Sequence, residues 1–187
     1  FRGAAIPFIY QPPVIPFSAT GGTESNYSNY KVHTFLYDSN NDTNGQTTYT
    51  FTTTGDPEYL EFLIVAGGGG GGSNWCAGGG GGGGMIVGTS VLFTAGDYTI
   101  KVGTGGYGGK QSGHQSGTSS QARGENGDDS SITGPLFFKA NGGGGGGYTH
   151  NDKNGKPGGS GGGGTMQGTG GDAEYYDAAQ ALQTMPN

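Results

Sequence analysis

The residues of this chain best suited to chemistry are three histidines, one cysteine, a few acidic pairs and one glycine fingerprint. His33, His114 and His150 lie in unrelated segments, without the i, i+4 or cysteine-paired spacing that a zinc site needs, and read as scattered surface side chains. Asn126-Gly127-Asp128-Asp129 and Asn151-Asp152-Lys153-Asn154-Gly155 resemble pieces of calcium loops. Neither has the full alternation of acidic ligands with a closing glutamate, so both read as turns. Gly103-Thr104-Gly105-Gly106-Tyr107-Gly108 matches the dinucleotide fingerprint and follows a predicted strand. What comes next, Gly109-Lys110-Gln111-Ser112-Gly113, offers no apolar helical pattern to set a helix N-terminus beneath a pyrophosphate. A Walker-type loop fails as well, because Thr104 takes the first glycine position and Gln111 replaces the hydroxyl residue after Lys110. No nucleophile sits on a strand-to-helix elbow. Asp97, Glu125, Asp128 and Asp129 read as turn residues, not as the facing carboxylates of a glycosidase. The expectation is a protein without catalytic, metal-binding or cofactor-binding residues, and not an enzyme.

Any function must then come from shape, and the composition says what kind. Of 187 residues, 46 are glycine, while apolar residues make up 30% and charged ones 12%, which fits neither an ordinary globular chain nor a charge-swollen disordered one. The net charge of -6, with 8 scattered basic residues, removes the electrostatic footprint of a nucleic-acid binder. No stretch approaches the roughly 18 to 20 consecutive apolar residues of a membrane span. Cys76 is the lone cysteine, so it forms no intrachain disulfide and reads as a small packing residue between glycine runs. The chain opens on Phe1 and not on methionine, so an upstream portion is expected, and any address it carried is out of view.

Along the chain, Phe1 to Phe17 interleaves Pro7, Pro12, Pro13 and Pro16 with apolar residues. Proline fixes its own φ and pushes the preceding residue toward extended backbone, so residues 1–20 are expected to be an extended arm. Phe8, Tyr10, Pro12, Pro13 and Phe17 would lay it on a neighbouring subunit. Residues 21–171 follow as a glycine-rich β domain. The runs Tyr30 to Tyr37 and Thr47 to Thr54 read as strands, the second alternating with Tyr49 and Phe51 on one face. Tyr59 to Ala66 is nearly continuous in apolar residues and reads as a central strand feeding Gly67 to Gly72. Seven more glycines, Gly78 to Gly84, lead into Met85-Ile86-Val87. Ser90 to Phe93 and Tyr98 to Val102, joined by Thr94 to Asp97, read as a hairpin. A long polar stretch, Gly103 to Asp129, precedes a weaker strand pair at Ser130 to Thr133 and Leu136 to Ala140. Gly142 to Gly147 and Gly158 to Gly164 then flank a second variable tip. In residues 172–187, Tyr175, Ala178, Ala179 and Leu182 at helical spacing behind Asp172 suggest a short helix, with an ordered tail as the alternative.

Twice, therefore, an apolar strand runs into glycines, a short tip and glycines again, an internal repeat of architecture. Pure glycine has no side chain to bury, so only backbone hydrogen bonds and close contact can hold it. A polyproline-II-like helix, with three residues per turn, points its N–H and C=O groups outward, where neighbouring glycine helices can satisfy them. The predicted fold is all-β: an antiparallel, sandwich-like core, packed polyglycine-II-type segments and an extended N-terminal arm. The tips between paired runs, Trp75 on one and Tyr148, His150, Asn151 and Asp152 on the other, would form the recognition surface, since loops on rigid scaffolds concentrate binding residues.

Several segments in order also resemble a known family: Gly21-Gly22-Thr23, Tyr30 to Phe35, Leu60 to Ala66 into glycine, Ala95 to Gly103, Gly127 to Ser131, and Lys139-Ala140-Asn141 into glycine. Over residues 21–171 the chain resembles the glycine-rich domain of bacteriophage virion proteins, found in tail-fibre and other structural proteins of marine and cyanobacterial phages. The resemblance implies a structural protein on the virion surface, a fibre tip or a capsid or tail decoration, adhering to the host. Its implied partners are other virion proteins or copies of itself, and a host glycan or receptor. The alternatives are a secreted or cell-surface bacterial fibre subunit and a polysaccharide-degrading fibre enzyme, which would need the paired carboxylates absent above.

Overall fold

The protein is described from a computed structural model, covering residues 12–73, 75–110, 122–149 and 152–174. Among these residues ten strands follow one another: β1 (Ser18–Thr20), β2 (Thr23–Tyr27), β3 (Tyr30–Thr34), β4 (Asp42–Thr43), β5 (Gln46–Thr54), β6 (Glu58–Val65), β7 (Met85–Phe93), β8 (Gly96–Gly103), β9 (Ser130–Thr133) and β10 (Phe138–Ala140). The pairings between them are antiparallel, and among the described residues the only helical turn is a 3-10 turn at Ser39–Asn41. The protein is all-β, as expected.

The main sheet runs β1-β5-β8-β9-β10, with β4 also on β5. Alternation builds it: Thr47, Phe51 and Thr53 of β5 and Tyr98 and Ile100 of β8 are buried, while intervening residues are open. A two-stranded sheet, β6 with β7, packs over this face. Between the layers Phe93 meets Tyr98 at 4.9 Å and Phe62 meets Phe138 at 4.8 Å, the spacing of tilted aromatic pairs. Tyr98 is fully buried, and its hydroxyl bonds both the N–H (3.1 Å) and the carbonyl (3.0 Å) of Thr94. The layering is that of a small sandwich.

Three expectations are corrected here. Ser90–Phe93 and Tyr98–Val102 are not a hairpin: β7 pairs with β6 and β8 with β5, so the turn at Thr94-Ala95 carries the chain from one layer to the other. Phe93 and Tyr98 face each other across the core instead of lying side by side, and Thr53 Oγ donates to the Thr94 carbonyl at 2.7 Å to hold the corner. Tyr59 to Ala66 is not a central strand, because among the described residues β6 pairs with β7 alone and presents Tyr59, Leu63 and Val65 outward. His33 is not a free surface residue. Its Nδ1 lies 2.8 Å from the Gly21 carbonyl oxygen and its ring packs edge-on against Phe51 at 5.2 Å. The expected C-terminal helix lies outside the described residues. So do Phe8 and Tyr10 of the arm; of its other named residues, Pro12 and Pro13 are exposed and Phe17 is half-buried against the core.

Candidate functional site

Beyond the ends of β6, β8 and β10 the chain leaves the sheets and returns three times, through residues 66–84, 104–128 and 141–163. The outgoing and returning runs bond to one another at every third residue. Ala66, Gly69 and Gly72 donate to the carbonyls of Gly84, Gly81 and Gly78, and Gly67, Gly70 and Ser73 donate to those of Asp128, Glu125 and Ala122. Gly106 and Gly109 donate to Gly68 and Gly71, and Gly78, Gly81 and Gly84 donate to Gly147, Gly144 and Asn141. Bonding at every third residue turns the donors and acceptors of each run toward several neighbouring runs.

At the centre lies Gly142 to Gly147, buried along its length. Its N–H groups donate in turn to Asp129 Oδ1, Gly67, Ser160, Asn126 Oδ1, Gly70 and Gly163, and its carbonyls accept from Gly159, Gly127, Gly81, Lys156, Gly124 and Gly78. Every donor and acceptor of a six-residue segment without side chains is thus paired, which is how it is held without apolar burial. The close approach also explains the composition. A Cβ at Gly146 would stand 2.0 Å from the Gly78 carbonyl oxygen, and one at Gly81 2.1 Å from that of Ser160. At Gly79, on the rim, a Cβ would meet nothing within 4 Å.

Two of the acidic residues expected to be turns are parts of this packing. Asp129 accepts from Gly142 N–H at 2.8 Å and pairs with Lys139 Nζ at 2.6 Å. Asp128 sits half-buried, and burial first, then the negative charges of Asp129, Asp42 and Glu125, raise its carboxyl above the ordinary aspartate value. Because the folded state binds that proton more tightly than the unfolded one, Asp128 favours folding when protonated, below the ordinary aspartate value. That contribution is lost as pH rises through its raised folded pKa. Asp128→Asn is therefore expected to melt higher than the parent at neutral pH and to lose that advantage in acid, as thermal melts across the two ranges would record.

The far ends of the three excursions come together. Ser73 bonds the Ala122 carbonyl through its N–H at 2.8 Å and lies within 3.2 Å of the Lys110 carbonyl through Oγ. Thr149 Oγ1 donates to the Trp75 carbonyl, joining the first tip to the third. Arg123 Nη2 donates to the Asn154 carbonyl at 2.8 Å and its Nη1 lies 3.9 Å from Asp152 Oδ1, tying the second return to the third tip. Of the expected recognition residues, Trp75 is 79% exposed and Asp152 half-exposed. Tyr148 is buried, its N–H donating to the Asp152 carbonyl at 2.7 Å, so its ring supports the tip and does not present itself. His150 and Asn151 lie outside the described residues. Among the described residues no cluster of three or more His, Cys, Asp or Glu side chains could hold a metal ion, and Cys76 is exposed and free.

Sequence reading missed the second excursion, 104–128, taking it for a polar stretch. Its signal was glycine at every third position, Gly103, Gly106 and Gly109 outward and Gly124 and Gly127 on return. The dinucleotide-like fingerprint is part of this outgoing run, its Gly106 bonded to Gly68. Arg123, which binds this excursion to the third, went unnoticed with it, and Asn126, read only as part of a turn, binds the third excursion as well.

Sheets at one end, glycine backbone packed on glycine backbone beyond them, and loops gathered at the far side define a glycine-rich all-β module. The chain belongs to the glycine-rich domain family, whose signature matches residues 42–181. No curated protein and no solved structure matches it.

Proposed function

We propose that this chain is a structural protein exposed on a bacteriophage particle, a fibre tip or a capsid or tail decoration, whose gathered tips adhere to the host surface. The observation that carries the reading is the meeting of loops at the end of the glycine packing, with the Trp75 ring open to solvent at 79%. Each excursion is some six to eight residues each way, about 20 Å at a rise of about 3.1 Å per residue, so the tips stand well clear of the β layers. A backbone scaffold paired on all sides has little freedom left, and a loop held on it binds at a lower entropic cost. The flat apolar face of an indole suits stacking on a sugar ring or on an apolar protein patch. The sequence resemblance to phage virion domains supports the same reading, and Trp75 is the residue we assign to contact.

Trp75→Ala is expected to lower attachment of the particle to host cells roughly tenfold, the scale of about 1 to 2 kcal/mol for an aromatic anchor. Melting temperature and particle assembly should stay as they are. Attachment at the parental level would remove Trp75 from recognition and leave the chain as decoration, with the receptor site on another protein.

A further inference from the structure

The outer face of the β6–β7 sheet is largely apolar and exposed among the described residues. Tyr59 stands opposite Leu92, Leu63 opposite Val87 and Val65 opposite Met85. Five of these six side chains are between 52% and 66% exposed. Cross-strand apolar pairs of this kind normally face a core, and a contiguous exposed patch marks a contact surface. The two strands also lack a third strand on either side among the described residues, leaving backbone groups open to pairing.

The arm supplies a matching ligand. Where it meets the domain it is fastened at the turn that opens β6: Ile15 N–H donates to Asp56 Oδ2 and Asp56 N–H to the Ile15 carbonyl, both at 2.9 Å. The arm is therefore held, at Ile15, beside the turn that leads into this face. Eleven extended residues reach about 36 Å, more than the roughly 27 Å of an eight-residue strand. Ile6, Phe8 and Tyr10 alternate, so an extended segment carries them on one side. Arg2 is the arm's cation, and Glu61, exposed on β6, makes no ion pair among the described residues.

We infer that the outer face of β6–β7 receives residues 1–11 of a second copy of this chain. The second copy is favoured over the chain's own arm because Val14 (77% exposed) and Ile15 (58%), next to the anchor, do not pack on their own domain. Exchange between copies covers the arm and the face at once, and with two copies it closes as a symmetric pair. The inference deepens the reading of the chain as an assembling structural protein, and the measurements below leave Trp75 untouched, so the two can fail separately.

The test uses the full chain with Phe8→Cys, Val87→Cys and Cys76→Ser, oxidised at low concentration and run without reductant. The expected product is a covalent dimer or higher species. An intrachain product would mean that the arm covers its own face, and absence of any cross-link would mean that it does not dock there; either overturns the inference. In parallel, Val87→Glu, at an exposed position, is expected to reduce the solution molar mass from that of an oligomer to that of one chain, with the β circular-dichroism signal and melting temperature kept. A parent chain that is already monomeric, or a folded variant that keeps the parental mass, would also overturn it.

Discussion

Gly146→Ala is expected to destabilise the protein by about 3 kcal/mol or more, a large effect for the addition of one methyl group. The added carbon would stand 2.0 Å from the Gly78 carbonyl oxygen, 2.6 Å from its carbon and 2.8 Å from the Gly72 nitrogen, all backbone. A crowding side chain can rotate away, but here the obstacles are atoms whose positions are fixed by hydrogen bonds: Gly78 donates to Gly147 and accepts from Gly72. Relief therefore requires two runs to separate and several bonds to break together. The contrast is Gly79→Ala, where the new carbon meets nothing within 4 Å, and the expected change is within about 0.5 kcal/mol. Urea unfolding of the two variants beside the parent decides the matter. Equal stability of all three would mean that the close approach of the runs contributes nothing to folding.

The second large effect is expected at the corner between the sheets. Tyr98→Ala should cost about 3 to 5 kcal/mol, the range for removal of a buried aromatic ring. The ring is fully buried against Phe51 and Phe93, with centroids at 6.3 and 4.9 Å, and its hydroxyl bonds the Thr94 backbone. Tyr98→Phe separates the two contributions: it keeps the ring, leaves the Thr94 carbonyl without the hydroxyl donor, and should cost only about 1 kcal/mol. Denaturant melts of the pair would read both, and a Phe variant as unstable as the Ala variant would shift the weight from packing to the hydrogen bonds.

Strands were legible wherever a period of two met one buried face. β5 and β8 follow from Tyr49 and Phe51, and from Tyr98, Ile100 and Val102, because half-burial writes itself as alternation. Partnership was not legible. Ser90 to Phe93 and Tyr98 to Val102 carry a turn between them whether the chain folds back on its own sheet or crosses to the facing one. The choice is made by core contacts remote in sequence, Phe51 with Phe93 and Tyr98. The continuous apolar run of β6 misled for a related reason. A strand apolar on both faces reads as central, whereas here the second face points outward. The glycine runs of the first and third excursions could be found as blocks, since every position there but Ser160 is glycine. In the second excursion only the residues facing a neighbouring backbone must be glycine, and the positions between carry Arg123, Glu125 and Asn126. At the tips, sequence placed Trp75 in the open, but Tyr148 turned inward, an orientation set by its neighbours and not by its own type.

The fully paired central run, Gly142 to Gly147, has a consequence for how this protein responds to temperature. Apolar burial weakens on cooling, and exposing apolar surface is what makes the heat capacity of unfolding large and positive. Opening a packing made of glycine backbone exposes peptide groups, which lower that heat capacity. The molecule is therefore two materials joined end to end. Its aromatic layers loosen in the cold, while its glycine region has little hydrophobic attraction to lose. The unfolding heat capacity per residue should fall below the usual value of about 12 to 15 cal/mol/K, giving a flatter stability curve than a chain of this length normally has.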